Sequence, residues 1–394
     1  SALAAQGDAV DILCLQNFSS AAGLLRDVRN IISFNGSSLL SYQSSDWLKA
    51  VSELWRWRKE LLENLERFEL TNLTPSLSAK LLARLVAGEA EVAGFSVDAF
   101  GFGKYSSPWA AYLQAASIHR GSSPFNIIDV IKRVVKEDNR FEPLELASIS
   151  PATKNRAVRI LAEGNQAGAH SFVGFQLGAS TDNRRWPLAY YVSLGEYLWK
   201  EFGLCPVLVG SPEESHLAGK YAAMSRGPYI DCIGQTDLIT LAGLLSQSRL
   251  LVTNDTGTMH LAAGLGVPIL AVFLATAQPW DTGPYQINSL CLEPDLNCHP
   301  CGFSRSCEQQ HACRRAIQPE VVFKQIQSFL LRGCWMKMSA KGTRLWESRP
   351  DAQGFINLRS LSEEENSDRV RWIRLQRSFC RQFLDLKPLS LNEI

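Results

Sequence analysis

One stretch, Arg249–Tyr285, constrains the fold more than any other part of the chain. The run Leu250–Val252 is short, aliphatic and unalternated, which predicts a strand covered on both faces in a parallel sheet. The turn Asn254–Thr258 provides capping side chains and a glycine before a helix predicted over His260–Leu265. A second apolar run, Val267–Phe273, predicts the next strand. This order of strand, turn, helix and strand is typical of an α/β fold with a parallel sheet.

The turn itself suggests a ligand. A glycine-containing turn that leads into a helix leaves backbone N–H groups free, and it lies at the positive end of the helix dipole. Both features suit a phosphate or a pyrophosphate. The alternative is an ordinary capped connection that binds nothing.

Composition excludes several classes of protein. The 394 residues are long enough for two domains, and 46% hydrophobic with 20% charged residues is the balance of a globular protein. A formal charge of +1 without basic runs argues against nucleic acid as a partner. No stretch approaches the roughly 18–20 apolar residues of a membrane span. We therefore expect a soluble chain, with contact at a membrane surface left open.

The same stretch carries a family resemblance. The letters DTGTMHLAAGLGVP over 255–268, followed by Thr276 and Gly283-Pro284, resemble the signature of glycosyltransferase family 9, the ADP-heptose:lipopolysaccharide heptosyltransferases. The resemblance implies an inverting transfer of a heptose or related sugar from an ADP-sugar to a lipopolysaccharide core or other glycan acceptor. It also implies a cytoplasmic enzyme, with transient contact at the inner face of the membrane if the acceptor is lipid-linked.

The resemblance implies the α/β GT-B architecture, in which two doubly wound Rossmann-like domains face a cleft. We expect an acceptor-side domain over 1–150, a nucleotide-sugar domain over 165–335 and an additional helical tail of unknown role over 336–394. Family members begin with a strand and a loop whose aspartate is thought to be the catalytic base. The first strand and the first helix of the family are expected to be missing here. The base is therefore unassigned, and its role is not transferred to Asp8.

The donor site implied by the resemblance lies in the second half. Arg184 falls where the family has a phosphate-binding lysine, and Glu214, which follows a strand, is placed to accept both hydroxyls of a ribose. As alternatives, the arginine could be solvated and the glutamate could only stabilise a helix start. The full set of predicted donor-binding residues is Arg184, Glu214, Thr236, Asp255, Thr256, Gly257, Thr258, His260 and Thr276. Thr236 is expected to cap a helix first and bind second, and His260 could instead cap its own loop.

Two departures from the family pattern affect this site. Gln176-Leu177-Gly178 stands where the family usually has His-Pro-Gly, and Leu274-Ala275 replaces a Gly-Pro pair before Thr276. The second change could alter which sugar fits.

Four cysteines lie close together as C-x2-C-x5-C-x5-C: Cys298, Cys301, Cys307 and Cys313. Such a group can bind structural zinc or an iron–sulfur cluster, although the spacing is not that of a standard zinc finger. A loop held by packed thiols or disulfides is the alternative. In either case the cluster is expected to be structural, and no cofactor is required for the transfer.

Two further functions remain open. A chain without the family's base segment could bind nucleotide-sugars without transferring them. A nucleotide-dependent oxidoreductase would have similar alternating elements, but no G-x-G-x-x-G follows a strand.

Overall fold

The computed structural model describes residues 7–42, 46–65, 67–118, 123–135, 140–303, 306–362 and 368–390. Its strands are β1 (Val10–Leu15), β2 (Val28–Phe34), β3 (Leu70–Asn72), β4 (Val92–Val97), β5 (Gly103–Tyr105), β6 (Ser171–Gln176), β7 (Leu204–Val209), β8 (Ile230–Asp231), β9 (Ser248–Asn254), β10 (Ile269–Val272), β11 (Leu290–Pro294), β12 (Thr343–Pro350) and β13 (Ile356–Ser360).

Its helices are α1 (Ser19–Ala22), α2 (Gly36–Tyr42), α3 (Trp47–Glu63), α4 (Leu77–Ala87), α5 (Pro108–Ile118), α6 (Ile127–Val135), α7 (Pro151–Gly164), α8 (Leu188–Phe202), α9 (Ser215–Met224), α10 (Leu238–Ser246), α11 (Gly257–Gly264), α12 (Pro279–Thr282), α13 (Ala312–Ala316), α14 (Pro319–Arg332) and α15 (Asp368–Leu384). None of the described helices is long and apolar enough to cross a bilayer.

The chain divides into two compact units. The first comprises Ser1–Ile118, Ile128–Asp138 and Arg381–Leu389. Its described strands form two small sheets: β1 pairs in parallel with β2, and β4 lies between parallel β3 and antiparallel β5. Ser76 caps α4 by accepting a hydrogen bond from the N–H of Ala79 at 3.3 Å. This unit is α/β in character.

The second unit comprises His119–Ile127, Asn139–Cys380 and Ser390–Ile394. Within its described residues, eight strands form one sheet in the order β13-β12-β11-β10-β9-β6-β7-β8. The six strands from β6 to β11 run parallel. The chain builds outward from β6 to β8, then returns to β9 beside β6 and builds the other way. The reversal between β6 and β9 is the topological switch point of a doubly wound sheet, where ligands bind beyond the carboxyl ends of the strands.

Both faces of this sheet are covered. Phe175, Leu208, Val252 and Leu270 are fully buried in one continuous core with helices α8 and α14. On the other face Ala157 and Leu161 of α7 pack with Val207. Burying one such side chain contributes about 1.5–3 kcal/mol, so the continuous apolar runs of the sequence account for the position of the sheet. The large, mainly parallel α/β sheet predicted from the sequence is confirmed.

The C-terminal tail differs from its prediction. Strands β12 and β13 lie within the predicted helical tail, and they extend the sheet of the second unit as an antiparallel edge. The charged residues Arg344, Glu347, Arg349 and Arg359 interrupt the apolar pattern here, so the sequence did not indicate strands. In the structure each of them forms an ion pair. Only α15 follows the predicted helix.

Candidate functional site

The predicted donor residues lie along one edge of the second sheet. Glu214 follows β7, Thr236 follows β8, the turn 255–258 follows β9 and Thr276 follows β10. Gln176, the last residue of β6, pairs in register with Thr253 near the end of β9. Because parallel strands end at a common edge, four loops meet at the switch point.

Glu214 is held by its surroundings in one position. It ends a 3-10 turn, Pro212–Glu214, and its Oε2 accepts a hydrogen bond from the N–H of Ser211 at 3.0 Å. A Cβ placed on Gly178 would lie 1.5 Å from Oε1, and a Cβ on Gly210 would lie 2.5 Å from Oε2. The carboxylate therefore occupies space that exists only because both positions are glycine. Since a carboxylate has about four lone-pair sites, it can still accept hydroxyl groups.

Gln176 connects Glu214 to the turn after β9. Its Nε2 donates to Oε2 of Glu214 at 3.1 Å, and its Oε1 accepts from the hydroxyl of Thr258 at 2.8 Å. The side chain is 3% exposed, so water does not compete for these bonds. One amide thus orients two residues that the sequence assigned separately to ribose and phosphate. In the sequence Gln176 stands out only as a departure from the family pattern; a polar residue at the end of a buried strand was the available signal.

Asn254 fixes the backbone beneath the site. Its Nδ2 lies 3.3 Å from the carbonyl oxygens of Gln176 and Leu177, and it donates to that of Gly178 at 2.9 Å. Its Oδ1 accepts from the N–H of Trp186 at 2.9 Å. A fully buried amide that satisfies carbonyls of another loop rigidifies both loops. In the sequence Asn254 is part of the predicted turn, and no specific role was predicted for it.

Tyr191 completes this layer below Gln176. Its hydroxyl donates to the carbonyl oxygen of Gln176 at 2.8 Å, and the ring is fully buried. Burial, together with the nearby charge of Glu214, raises the pKa of Tyr191, so the phenol stays protonated and remains a donor.

The turn after β9 places the start of α11 at the switch point. Thr256 precedes the helix in an extended conformation, and its side chain does not cap it. The hydroxyl of Thr256 lies 3.3 Å from that of Thr253. A Cβ on Gly257 would meet nothing within 4 Å, so space is open beside the first helical turn. The N–H groups of that turn have no intrahelical acceptor, which suits an anion.

Arg184 pairs with Asp255, and the two residues were predicted separately. The guanidinium forms an ion pair with the Asp255 carboxylate, and Nη1 donates to the hydroxyl of Ser180 at 2.8 Å. The side chains are 16% and 7% exposed, so the pair is largely removed from solvent. Arg184 Nε is buried with no hydrogen-bond partner among the described residues. The arginine is therefore an anchored cation at the switch point, and the solvated alternative does not apply.

The remaining donor candidates occupy the same edge of the sheet. Asp237 caps α10 by accepting from the N–H of Thr240 at 2.7 Å, so the capping role expected of Thr236 belongs to the next residue. His260 lies in the first turn of α11 and is half-buried, as is Thr276 in the loop after β10. Thr236 is also half-buried.

The four clustered cysteines are free thiols. Cys313 is buried, which raises the pKa of its thiol, whereas Cys298 and Cys307 are exposed. The N–H of Cys301 donates to the carbonyl oxygen of Ala275 at 2.8 Å, which attaches this loop to the one after β10. Outside the gap at 304–305 and the other undescribed segments, no three His, Cys, Asp or Glu side chains are grouped as a metal site. The structural role expected of this group stays a prediction.

Sequence comparison identifies the region that carries this site. Residues 136–312 match the family model of "Glycosyltransferase family 9 (heptosyltransferase)". This region belongs to glycosyltransferase family 9. It includes Glu214, the turn after β9 and the first three cysteines of the cluster, and Cys313 lies one residue beyond it. The resemblance inferred from the sequence is confirmed, and strands β12 and β13 lie beyond the matched part.

Curated relatives of this glycosyltransferase family 9 region are heptosyltransferases. Lipopolysaccharide heptosyltransferase 1 of Pseudomonas aeruginosa is 29% identical over 41% of this chain and 48% of its own length. Lipopolysaccharide heptosyltransferase 2 of Escherichia coli K12 is 30% identical over 41% of this chain and 47% of its own length. The chain spans about half the length of these relatives.

Solved structures resemble the fold over a longer span. A glycosyl transferase family 9 protein from Veillonella parvula aligns with a TM-score of 0.64 at 18% identity, covering 82% of this chain and 88% of its own. ADP-heptose lps heptosyltransferase II of E. coli aligns with a TM-score of 0.57 at 19% identity, and the alignment covers 84% of this chain and 92% of its own. At these identities the likeness shows the fold alone.

Proposed function

We propose that this chain is an inverting glycosyltransferase that moves a heptose or related sugar from an ADP-sugar to a lipopolysaccharide core or other glycan acceptor. The observation that carries the proposal is the Glu214 carboxylate, which is oriented by Gln176 and cradled by two glycines beside the start of α11. The heptosyltransferase relatives of the matched region support the choice of donor.

The order of strands along the sheet follows the order of groups in the donor. Glu214 after β7 accepts the ribose hydroxyls, the first turn of α11 after β9 binds the diphosphate, and Thr276 after β10 faces the sugar. Neighbouring strands are about 4.8 Å apart, so the three steps from β7 to β10 span roughly 14 Å, the scale of an extended nucleotide-sugar.

The diphosphate is the leaving group, and its developing charge must be stabilised. Free N–H groups and the helix dipole at the start of α11 provide part of this stabilisation, and the anchored Arg184 provides a positive charge. With these groups in place the proposed reaction needs no divalent cation and no cofactor. No described residue is assigned as the base that deprotonates the acceptor.

We further propose that the protein has the GT-B architecture, that its first unit binds the acceptor and that it acts in the cytoplasm. When the acceptor is lipid-linked, the protein contacts the inner face of the membrane transiently. The four cysteines are assigned a structural role in the loop that contacts Ala275.

Calorimetric titration with ADP, UDP and ADP-heptose tests the donor site. Glu214→Gln removes the carboxylate that accepts the ribose hydroxyls and should weaken the binding of ADP and ADP-heptose. Glu213→Gln is the matched control, because Glu213 lies in the same turn and is exposed. If the folded wild-type chain binds no nucleotide, the donor site is wrong.

A second candidate function is nucleotide-sugar binding without transfer, because the family's base has no counterpart among the residues assigned here. A transfer assay with a glycan acceptor, run on a chain that binds ADP-heptose, separates the two. Binding without turnover would favour the second candidate.

A further inference from the structure

The loop after β10 is held by a buried cluster that involves the C-terminal tail. Glu293 in β11 is fully buried, and its carboxylate is the centre of the cluster. Oε2 lies 3.1 Å from Nε2 of His299 and 3.2 Å from Nη2 of Arg369, and Oε1 accepts from the indole N–H of Trp346 at 3.1 Å. Arg344 contributes a further cation 3.6 Å from Oε1. These five residues are called the Glu293 cluster.

Arg369 of α15 also reaches two loops. Its Nη1 donates to the carbonyl oxygen of His299 at 2.9 Å, and its Nη2 donates to Oε1 of Gln278 at 3.3 Å. Gln278 precedes α12 in the loop after β10 and is 2% exposed. One guanidinium therefore joins the cysteine loop, the loop after β10 and the central carboxylate.

The loop after β10 lies where the proposed donor carries its sugar. It begins directly after the strand next to β9, and it contains Thr276 two residues before Gln278. Ala275 adopts a positive φ of 53°, a conformation that a residue with a Cβ rarely takes without tertiary support. Its carbonyl oxygen is bound by the N–H of Cys301. The path of this loop is thus imposed by its neighbours, and Arg369 binds it on the C-terminal side of Thr276.

We infer that Arg369 is a positioning residue for the donor sugar. The C-terminal tail thus contributes to the donor site, although it lies outside the matched family region. The inference rests on the proposed function, since it assigns the loop after β10 to the sugar of an ADP-sugar. Arg369 itself touches no substrate in this scheme. It acts through Gln278 and His299 on the loop that carries Thr276.

The experiment compares ADP with ADP-heptose in two variants of α15. Arg369→Met removes the guanidinium and keeps an apolar stem. Arg371→Met is the control on the same helix, where the side chain is 65% exposed and its Nη1 lies 4.0 Å from the carboxylate of Asp368. Because small misplacements at a reacting centre cost about 100-fold, we expect ADP-heptose affinity and kcat/KM to fall about 100-fold in Arg369→Met. ADP affinity should stay at the wild-type level, because ADP uses Glu214 and α11.

Gln278→Ala provides a second variant should Arg369→Met fail to fold. It leaves the Arg369–Glu293 pair in place and removes the contact of Arg369 to the loop, together with the hydrogen bond from Gln278 Nε2 to the carbonyl oxygen of Ser123 at 3.4 Å. We expect the same selective loss for ADP-heptose, with a rise in KM larger than the fall in kcat. Equal losses for ADP and ADP-heptose, or no change for either, would overturn the positioning role. A wild-type chain that binds neither nucleotide would overturn the proposed function, and this inference with it.

Discussion

The amide of Gln176 donates to the carboxylate of Glu214 at 3.1 Å and accepts from the hydroxyl of Thr258 at 2.8 Å, so one buried side chain determines the geometry of two ligand-binding loops. The arrangement depends on an amide, which both donates and accepts. A carboxylate at position 176 would face Glu214 with like charge, and an apolar residue would remove one hydrogen bond from each partner.

The first prediction concerns this link. Gln176→Leu should weaken ADP binding about tenfold, since losing a hydrogen bond to a charged group costs about 1.5 kcal/mol. Calorimetric titration measures the change. Gln309→Leu, at an exposed position of the cysteine loop, is the control and should bind ADP as the wild type does. Unchanged affinity in Gln176→Leu would contradict the assigned role.

The second prediction concerns the cradle of Glu214. In Gly178→Ala the new methyl group would lie 1.5 Å from Oε1, so the carboxylate must move. We expect ADP affinity to fall at least tenfold and the free energy of unfolding to fall by about 1–3 kcal/mol. Chemical denaturation and titration measure the two effects.

Gly219→Ala is the control for this substitution. Its Cβ would meet nothing within 4 Å on an exposed face of α9. Alanine replaces glycine in a helix there, so the free energy of unfolding should rise by about 1 kcal/mol and ADP binding should be unchanged. If Gly178→Ala and Gly219→Ala changed ADP affinity and the free energy of unfolding equally, the space around the Glu214 carboxylate would not be tight.

The third prediction concerns Asn254. Asn254→Asp replaces an NH₂ group that faces three carbonyl oxygens with a carboxylate oxygen, and the site is fully buried. We expect the free energy of unfolding to fall by about 3–5 kcal/mol, because a buried unpaired charge faces acceptors. Asn183→Asp is the matched control, since the hydroxyl of Thr181 can donate equally to either side chain. Urea denaturation of both variants tests this, and similar midpoints would refute it.

The fourth prediction concerns acid stability through Glu293. Burial raises the pKa of this carboxyl, but the charges of Arg369, His299 and Arg344 outweigh burial and lower it to about 2. Because the folded pKa is below the unfolded value, the contribution to stability is complete above the unfolded pKa and is lost as the pH falls towards 2. Glu293→Gln should therefore be less stable at pH 7 and should lose less stability between pH 5 and 3. Denaturation midpoints across that range measure the slope, and parallel curves for both proteins would contradict it.

The fifth prediction concerns thiol reactivity. Burial raises the pKa of Cys205 to about 11 and that of Cys232 to about 12, and both side chains lie in the core. These thiols should resist alkylation in the native protein and react after denaturation, whereas exposed Cys298, Cys307 and Cys334 should react at once. Mass spectrometry of the alkylated chain locates the modified residues. Rapid native labelling of Cys205 would argue against the packing of β7.

Local patterns were enough to predict much of the second unit. The apolar runs Leu250–Val252 and Val267–Phe273 predicted β9 and β10. The turn between them predicted α11, which begins at Gly257, three residues before the expected start. Strands β12 and β13 were missed because their charged side chains are paired with one another, as Glu347 is with Arg349 and Arg359, and pairing cannot be read from one segment alone.

The α/β class, the family signature and the set of polar residues at strand ends can be read from the sequence, because they depend on residues near one another in the chain. Three contacts became visible only in the folded chain: Gln176 joins Glu214 to Thr258, Arg184 pairs with Asp255, and Arg369 reaches the loop after β10. These contacts link residues between 38 and 91 positions apart. Their geometry is imposed by the order of strands in the sheet, which no local pattern specifies.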